Sequence, residues 1–95
     1  MDFNTFQPTC KSLVAEYVNR HLDVTDKVLI KPEDVYVVWY AKTLQNAKAL
    51  LSTPLPDGMY YEITYNGDKD EFYLDAYKKF ENVKITNKKV DADNE

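Results

Sequence analysis

The stretch that most restricts the possible folds runs from Met59 to Lys78, MYYEITYN-GDK-DEFYLDAYK. Met59, Tyr61, Ile63 and Tyr65 alternate with Tyr60, Glu62 and Thr64, and an extended strand sends every second residue to one face. Asn66-Gly67 then interrupts the alternation with two residues that accept positive φ, a strong hairpin signal. On the return, Phe72, Leu74 and Ala76 take the inward positions, while Tyr73, Asp75 and Tyr77 point outward. Any fold for this chain has to contain that hairpin.

Three other segments are legible. Over residues 3–22, Phe3, Phe6, Cys10, Leu13, Val14, Tyr17, Val18 and His21 recur at steps of three and four, the period of one helical face. Lys11, Ser12, Glu16, Asn19 and Arg20 fall on the opposite side, and Asn4 or Thr5 is a suitable cap because Pro8 is tolerated near a helix start. After an extended residue and an acidic turn at Pro32-Glu33-Asp34, VYVVWYAKTLQ (35–45) is rich in β-branched and aromatic residues and reads as a strand. Val35, Val37, Trp39 and Ala41 share one face, and Tyr36, Val38, Tyr40 and Leu44 the other. Being apolar on both faces, it needs cover on both, the second from a terminal segment or from another protein molecule. NAKALLST (46–53) fits either a helix or, turning at Asn46-Ala47, a second strand over 47–53; the hairpin is the preferred reading. Phe80, Val83 and Ile85 suggest a short closing segment, followed by a polar tail. The expectation is a single α+β domain over residues 1–85, an amphipathic helix packed on a four-stranded antiparallel meander sheet, with 86–95 as the tail.

Charge and motif content narrow the function classes. The 95 residues are too few for two independent cores. With 12 basic and 16 acidic residues the net charge is −4, and Arg20 is the sole arginine, which argues against direct binding of nucleic acid. No run approaches the length of a membrane span, and the N-terminus MDFNTFQPTCK has no secretion-signal pattern. With Cys10 as the lone cysteine, no internal disulfide can form and a reducing cytoplasm is the expected compartment. None of the phosphate-loop, dinucleotide, zinc-protease, nucleophile-elbow or paired-cysteine motifs occurs. No enzymatic activity and no cofactor are expected.

The candidate residues fall into three groups. His21 and Cys10 lie eleven helical residues apart, roughly 16 Å, too far to share a metal or act as a base–nucleophile pair. Cys10 reads as a small core residue, and His21 as a helix-end residue favoured by the dipole; with Asp23 and Asp26 it is a weak metal candidate. Eight tyrosines are present, of which Tyr60, Tyr73 and Tyr77 fall on the outer sheet face with Glu62 and Asp75. That group is either a solvated face of high strand propensity or a recognition patch, since tyrosine supplies contact area at low entropic cost. Stacking of single-stranded bases there is disfavoured by the neighbouring carboxylates. Finally, Asp57, Glu62, Asp68, Asp70, Glu71 and Asp75 stand against Lys69 alone in residues 57–75. Such a run solubilises a hairpin tip, mimics phosphates towards a basic partner, or, less well for its spacing, chelates Ca²⁺ through Asp68, Asp70 and Glu71.

DVYVVWYAKTLQNAKALLST (34–53), DGMYYEITYNGDKDEFYLDAYKKFENV (57–83) and CKSLVAEYVNRHLD (10–23) resemble a family of small uncharacterised proteins from phages and prophages of Gram-positive bacteria. The resemblance spans about residues 1–85 and carries no catalytic or ligand residue with it. It implies an accessory protein made in the cytoplasm of an infected bacterial host, acting by binding a host or defence protein. Together with the acidic hairpin, this favours an inhibitor with a nucleic-acid-mimicking surface. Its partner would be a protein with a basic surface, a CRISPR nuclease being physically apt, and its contact residues Tyr60, Glu62, Asp68, Asp70, Glu71, Tyr73, Asp75 and Tyr77. The alternative is a structural or regulatory homo-oligomer, with strand 35–44 supporting a homodimer; a small metal-binding protein is the minor alternative.

Overall fold

The structure, a computed structural model, describes residues 1–22 and 29–87. Helix α1 (Phe3–His21) starts at the third residue because Asp2, rather than Asn4 or Thr5, caps it: Asp2 Oδ1 accepts the Thr5 N–H at 3.0 Å. That hydrogen bond holds the Asp2 carboxyl below its usual range, so the cap is formed above that range and is lost as acid protonates it. The apolar stripe buries Phe6, Cys10, Val14, Ala15 and Val18, whereas Phe3 and His21 remain exposed at the two ends. Burial pushes the Cys10 thiol up to about 12, leaving a small core side chain without thiolate character.

One residue expected on the outer side of α1 has a structural task. The Asn19 side chain donates to Ile30 O at 2.9 Å and accepts the Ile30 N–H at 2.8 Å, satisfying both backbone groups of a residue that is itself buried. It thereby ties Ile30 to α1. From there Lys31 leads into a 3₁₀ turn, Pro32–Asp34, closed by Asp34 Oδ2 accepting the Lys31 N–H at 2.9 Å.

Four antiparallel strands follow, β1 (Tyr36–Thr43), β2 (Asn46–Ser52), β3 (Met59–Asn66) and β4 (Glu71–Lys78), ordered β1-β2-β3-β4. The expected α+β class and meander are therefore what the chain forms. The hairpin reading of 46–53 holds, but its turn is Leu44-Gln45, two residues earlier than Asn46-Ala47, with Leu44 in the left-handed region at φ 55°. Helix α1 lies on one face, where Ala47, Ala49 and Leu51 of β2 and Tyr61, Ile63 and Tyr65 of β3 complete the core. Phe6 spreads this contact, its ring lying 6.4 Å from Tyr65, 6.3 Å from Phe72 and 5.5 Å from Tyr40.

The β1 faces differ from the alternation expected of them. A bulge between Val37 and Trp39 lets Val37 pair with Leu51 and Trp39 with Leu50. The extra residue, Val38, moves all that follows to the opposite face, so Val37 and Tyr40 point to the helix and Trp39 away from it. Tyr40 packs between Phe3 and Phe6, and its hydroxyl is buried with no hydrogen-bond partner among the described residues. A buried hydroxyl without a partner costs about 1 kcal/mol or more, so Tyr40→Phe should raise the melting temperature by roughly 4–8 °C. A thermal scan in which the variant melts below the wild type would show that the hydroxyl is satisfied.

Two further expectations are corrected. Gly67 sits outside the left-handed region; positive φ in this turn belongs to Asp70, at 52°, and glycine is needed at 67 for close approach to Gln45. Phe80, Val83 and Ile85 form no closing segment: the Lys79 N–H reaches Gly58 O at 2.7 Å, and residues 79–87 then continue as an exposed arm.

Candidate functional site: the open sheet face

Because α1 is the one long helix and lies on one side, the other side of the sheet has no cover among the described residues. Cross-strand pairing arranges its side chains in three transverse rows. Tyr36, Ser52, Tyr60 and Tyr77 form the first, Trp39, Leu50, Glu62 and Asp75 the second, and Ala41, Lys48, Thr64 and Tyr73 the third. Four strands at about 4.8 Å spacing and three rows at about 6.8 Å give a platform of roughly 14 × 14 Å between backbone axes. Large side chains are well exposed at both of its edges: Tyr36 49%, Val38 46% and Trp39 41% on β1, and Tyr77 52% on β4. Lys48 Nζ and Glu62 Oε1 lie 3.6 Å apart near the middle, a surface pair that fixes side-chain position more than stability.

The sequence-derived candidates separate into two places. Tyr60, Glu62, Tyr73, Asp75 and Tyr77 share the open face, joined at its end by Glu71, whose Oε1 accepts the Tyr73 hydroxyl proton at 2.7 Å. That bond raises the Tyr73 pKa above its ordinary value. Asp68 and Asp70 belong instead to the β3–β4 turn and serve it structurally. Asp68 Oδ1 accepts from Gln45 Nε2 at 2.8 Å, and Asp70 Oδ1 from the Tyr65 hydroxyl at 2.7 Å, which raises the Tyr65 pKa in turn. With their oxygens engaged by different partners, Asp68, Asp70 and Glu71 do not converge as cation ligands, and no group of three metal-ligating side chains forms among the described residues. The weak metal candidate cannot be assembled from α1 alone: His21 Nδ1 donates to Tyr17 O at 2.8 Å while its ring stacks on Tyr17, and Asp23 and Asp26 lie outside the described residues.

Tyr36, Val38, Trp39 and Leu50 complete the face and were not among the candidates. The signal for them was the two-sided apolar run 35–44, which demanded a second cover; what it could not supply was the bulge that turns Trp39 outward.

These features define a small one-helix, four-stranded α+β domain with an uncovered, aromatic and acidic sheet face. The chain belongs to the family of unknown function DUF6275, whose model matches residues 7–87. No curated protein and no solved structure shows significant similarity to it. Among the described residues no helix is long and apolar enough to cross a membrane.

Proposed function

We propose that this protein is a non-enzymatic binding module whose open sheet face engages a partner protein. The observation that carries the reading is the set of exposed large side chains on this face, Tyr36, Val38 and Trp39 along its β1 edge and Tyr77 along its β4 edge, with Glu62 and Asp75 on the same face. Apolar area left open on a preformed surface and rimmed by charge marks a contact site, and aromatic anchors dominate the energy of such contacts. Glu62, Glu71 and Asp75 give the face an acidic bias suited to a basic partner surface and to fast, salt-sensitive association. In its finer form the module is phage-encoded, works in the host cytoplasm and occupies the nucleic-acid groove of a defence protein. The wording shared with the phage-family proteins supports the origin, and the sign of the charge supports the kind of groove. Asp68 and Asp70, engaged within the turn, contribute to the field more than to contact.

The test is capture from bacterial lysate at low and high salt, using wild-type protein and a Trp39→Ser/Tyr77→Ser variant. Neither side chain contributes to the core, so the fold should persist by circular dichroism. A bound protein retained at low salt, weakened at high salt and lost by about 30-fold or more in affinity in the variant supports the reading. Equal retention by the variant, or none by the wild type, ends it.

A further inference from the structure

We infer that two copies of this chain associate through β4, each laying its 79–87 arm along the acidic β3–β4 turn of the other. Three observations converge on it. First, the two edges of the sheet differ. β1 is blunted by its bulge at Val38, whereas β4 pairs with β3 through eight uninterrupted positions from Met59↔Lys78 to Asn66↔Glu71, leaving a regular edge for another strand. Strand 35–44, the segment that the sequence favours for self-association, is thus the poorer edge.

Second, the arm exposes three large apolar side chains. Phe80 is 97% exposed, Ile85 86% and Val83 60%. Among the described residues these three large apolar side chains have no cover, and they gain from a surface that buries them.

Third, charge and register agree. The arm with its root, residues 78–87, carries Lys78, Lys79 and Lys84 against Glu81, a net +2, while the turn region 68–71 carries Asp68, Asp70 and Glu71 against Lys69, a net −2. In a two-fold antiparallel β4 pair, residues facing each other must share a face, so a residue sits opposite its own copy at the centre. Centring on Asp75 opposes two carboxylates, and centring on Tyr73 opposes Glu71 to Asp75. Centring on Leu74 opposes Leu74 to Leu74 and Phe72 to Ala76, extending the half-covered inner face of β4. This register also brings Lys78 level with Asp70 of the second copy and carries the arm past its turn, with Lys79 level with Lys69 and Phe80 with Asp68. The dimer joins two sheets edge to edge and leaves both open faces free, so it stands independently of the partner-binding reading.

Sedimentation equilibrium of the full chain tests the inference against a Phe80→Ser/Val83→Ser/Ile85→Ser variant, whose replaced side chains are exposed and do not support the fold. The wild type should show twice the 11.1 kDa chain mass and dissociate as salt rises. The variant should dissociate at least about 10-fold more readily with an unchanged melting curve at monomeric dilution. Leu74→Cys should form an intermolecular disulfide on mild oxidation, and Asp75→Cys should not. A wild type that stays at single-chain mass up to about 1 mM, an arm variant that dimerises equally well, or a crosslink at 75 in place of 74 overturns it.

Discussion

Replacing Asn19 with Ala should cost roughly 2–4 kcal/mol of stability, enough to lower the melting temperature by about 10–25 °C. The side chain satisfies both the N–H and the C=O of Ile30, and Ile30 is buried, so truncation strands a donor and an acceptor together. Each group left unpaired costs about 1–3 kcal/mol, and the better helix propensity of alanine returns only about 0.5 kcal/mol. Asn19→Asp keeps the acceptor for the Ile30 N–H but sets a carboxylate against Ile30 O, and should rescue little. Asn4→Ala, at an exposed helical position, should change stability by less than about 0.5 kcal/mol and serves as the control. Urea denaturation decides the matter: a loss below about 1 kcal/mol for Asn19→Ala would mean that solvent serves Ile30 as well as the amide does.

The second large effect is expected at Gly67. A Cβ there would lie 2.1 Å from Gln45 O and 2.8 Å from Gln45 Cβ, and the first of these atoms is backbone. It cannot yield without moving the Leu44-Gln45 turn, which is tied to the same corner by the Gly67 N–H donating to Asn46 Oδ1 at 3.0 Å and by Gln45 Nε2 donating to Asp68. Gly67→Ala should therefore destabilise by about 3 kcal/mol, at the upper end of overpacking costs. Gly58 provides the contrast. Its φ is +69°, yet the nearest atom to an added Cβ is 3.7 Å away, so its requirement is conformational. Asparagine, which tolerates the left-handed region, should be nearly neutral at 58 and as damaging as alanine at 67. Chevron or equilibrium unfolding of the three variants separates the two causes, and a mild Gly67→Asn would refute the steric one.

Much of the architecture was readable along the chain. The three- and four-residue recurrence of Phe6, Cys10, Val14 and Val18 marks α1, and the alternation of Tyr61, Ile63 and Tyr65 marks β3, because each pattern records a surface that must be buried at that repeat. The outward group Tyr60, Glu62, Tyr73, Asp75 and Tyr77 followed from the same period. Less was readable where the outcome rests on a distant segment. Asn19 looks like any polar residue on a helix until Ile30 comes to lie beside it. Gly67 looks like a positive-φ glycine until the other turn crowds it. Asp68 and Asp70 look like surface charges until Gln45 and Tyr65 engage them.

The amino-acid order by itself thus marked α1, β1 and the β3–β4 hairpin and favoured a strand over a helix at 46–53, since periodicity is written residue by residue and needs no partner to be read. The bulge that turns Trp39 outward, the clamp on Ile30, the joined turns and the one face left bare were decided by the folded chain. Each depends on which pairs of remote positions come to face one another, and a linear string does not contain that information until the sheet and helix have met.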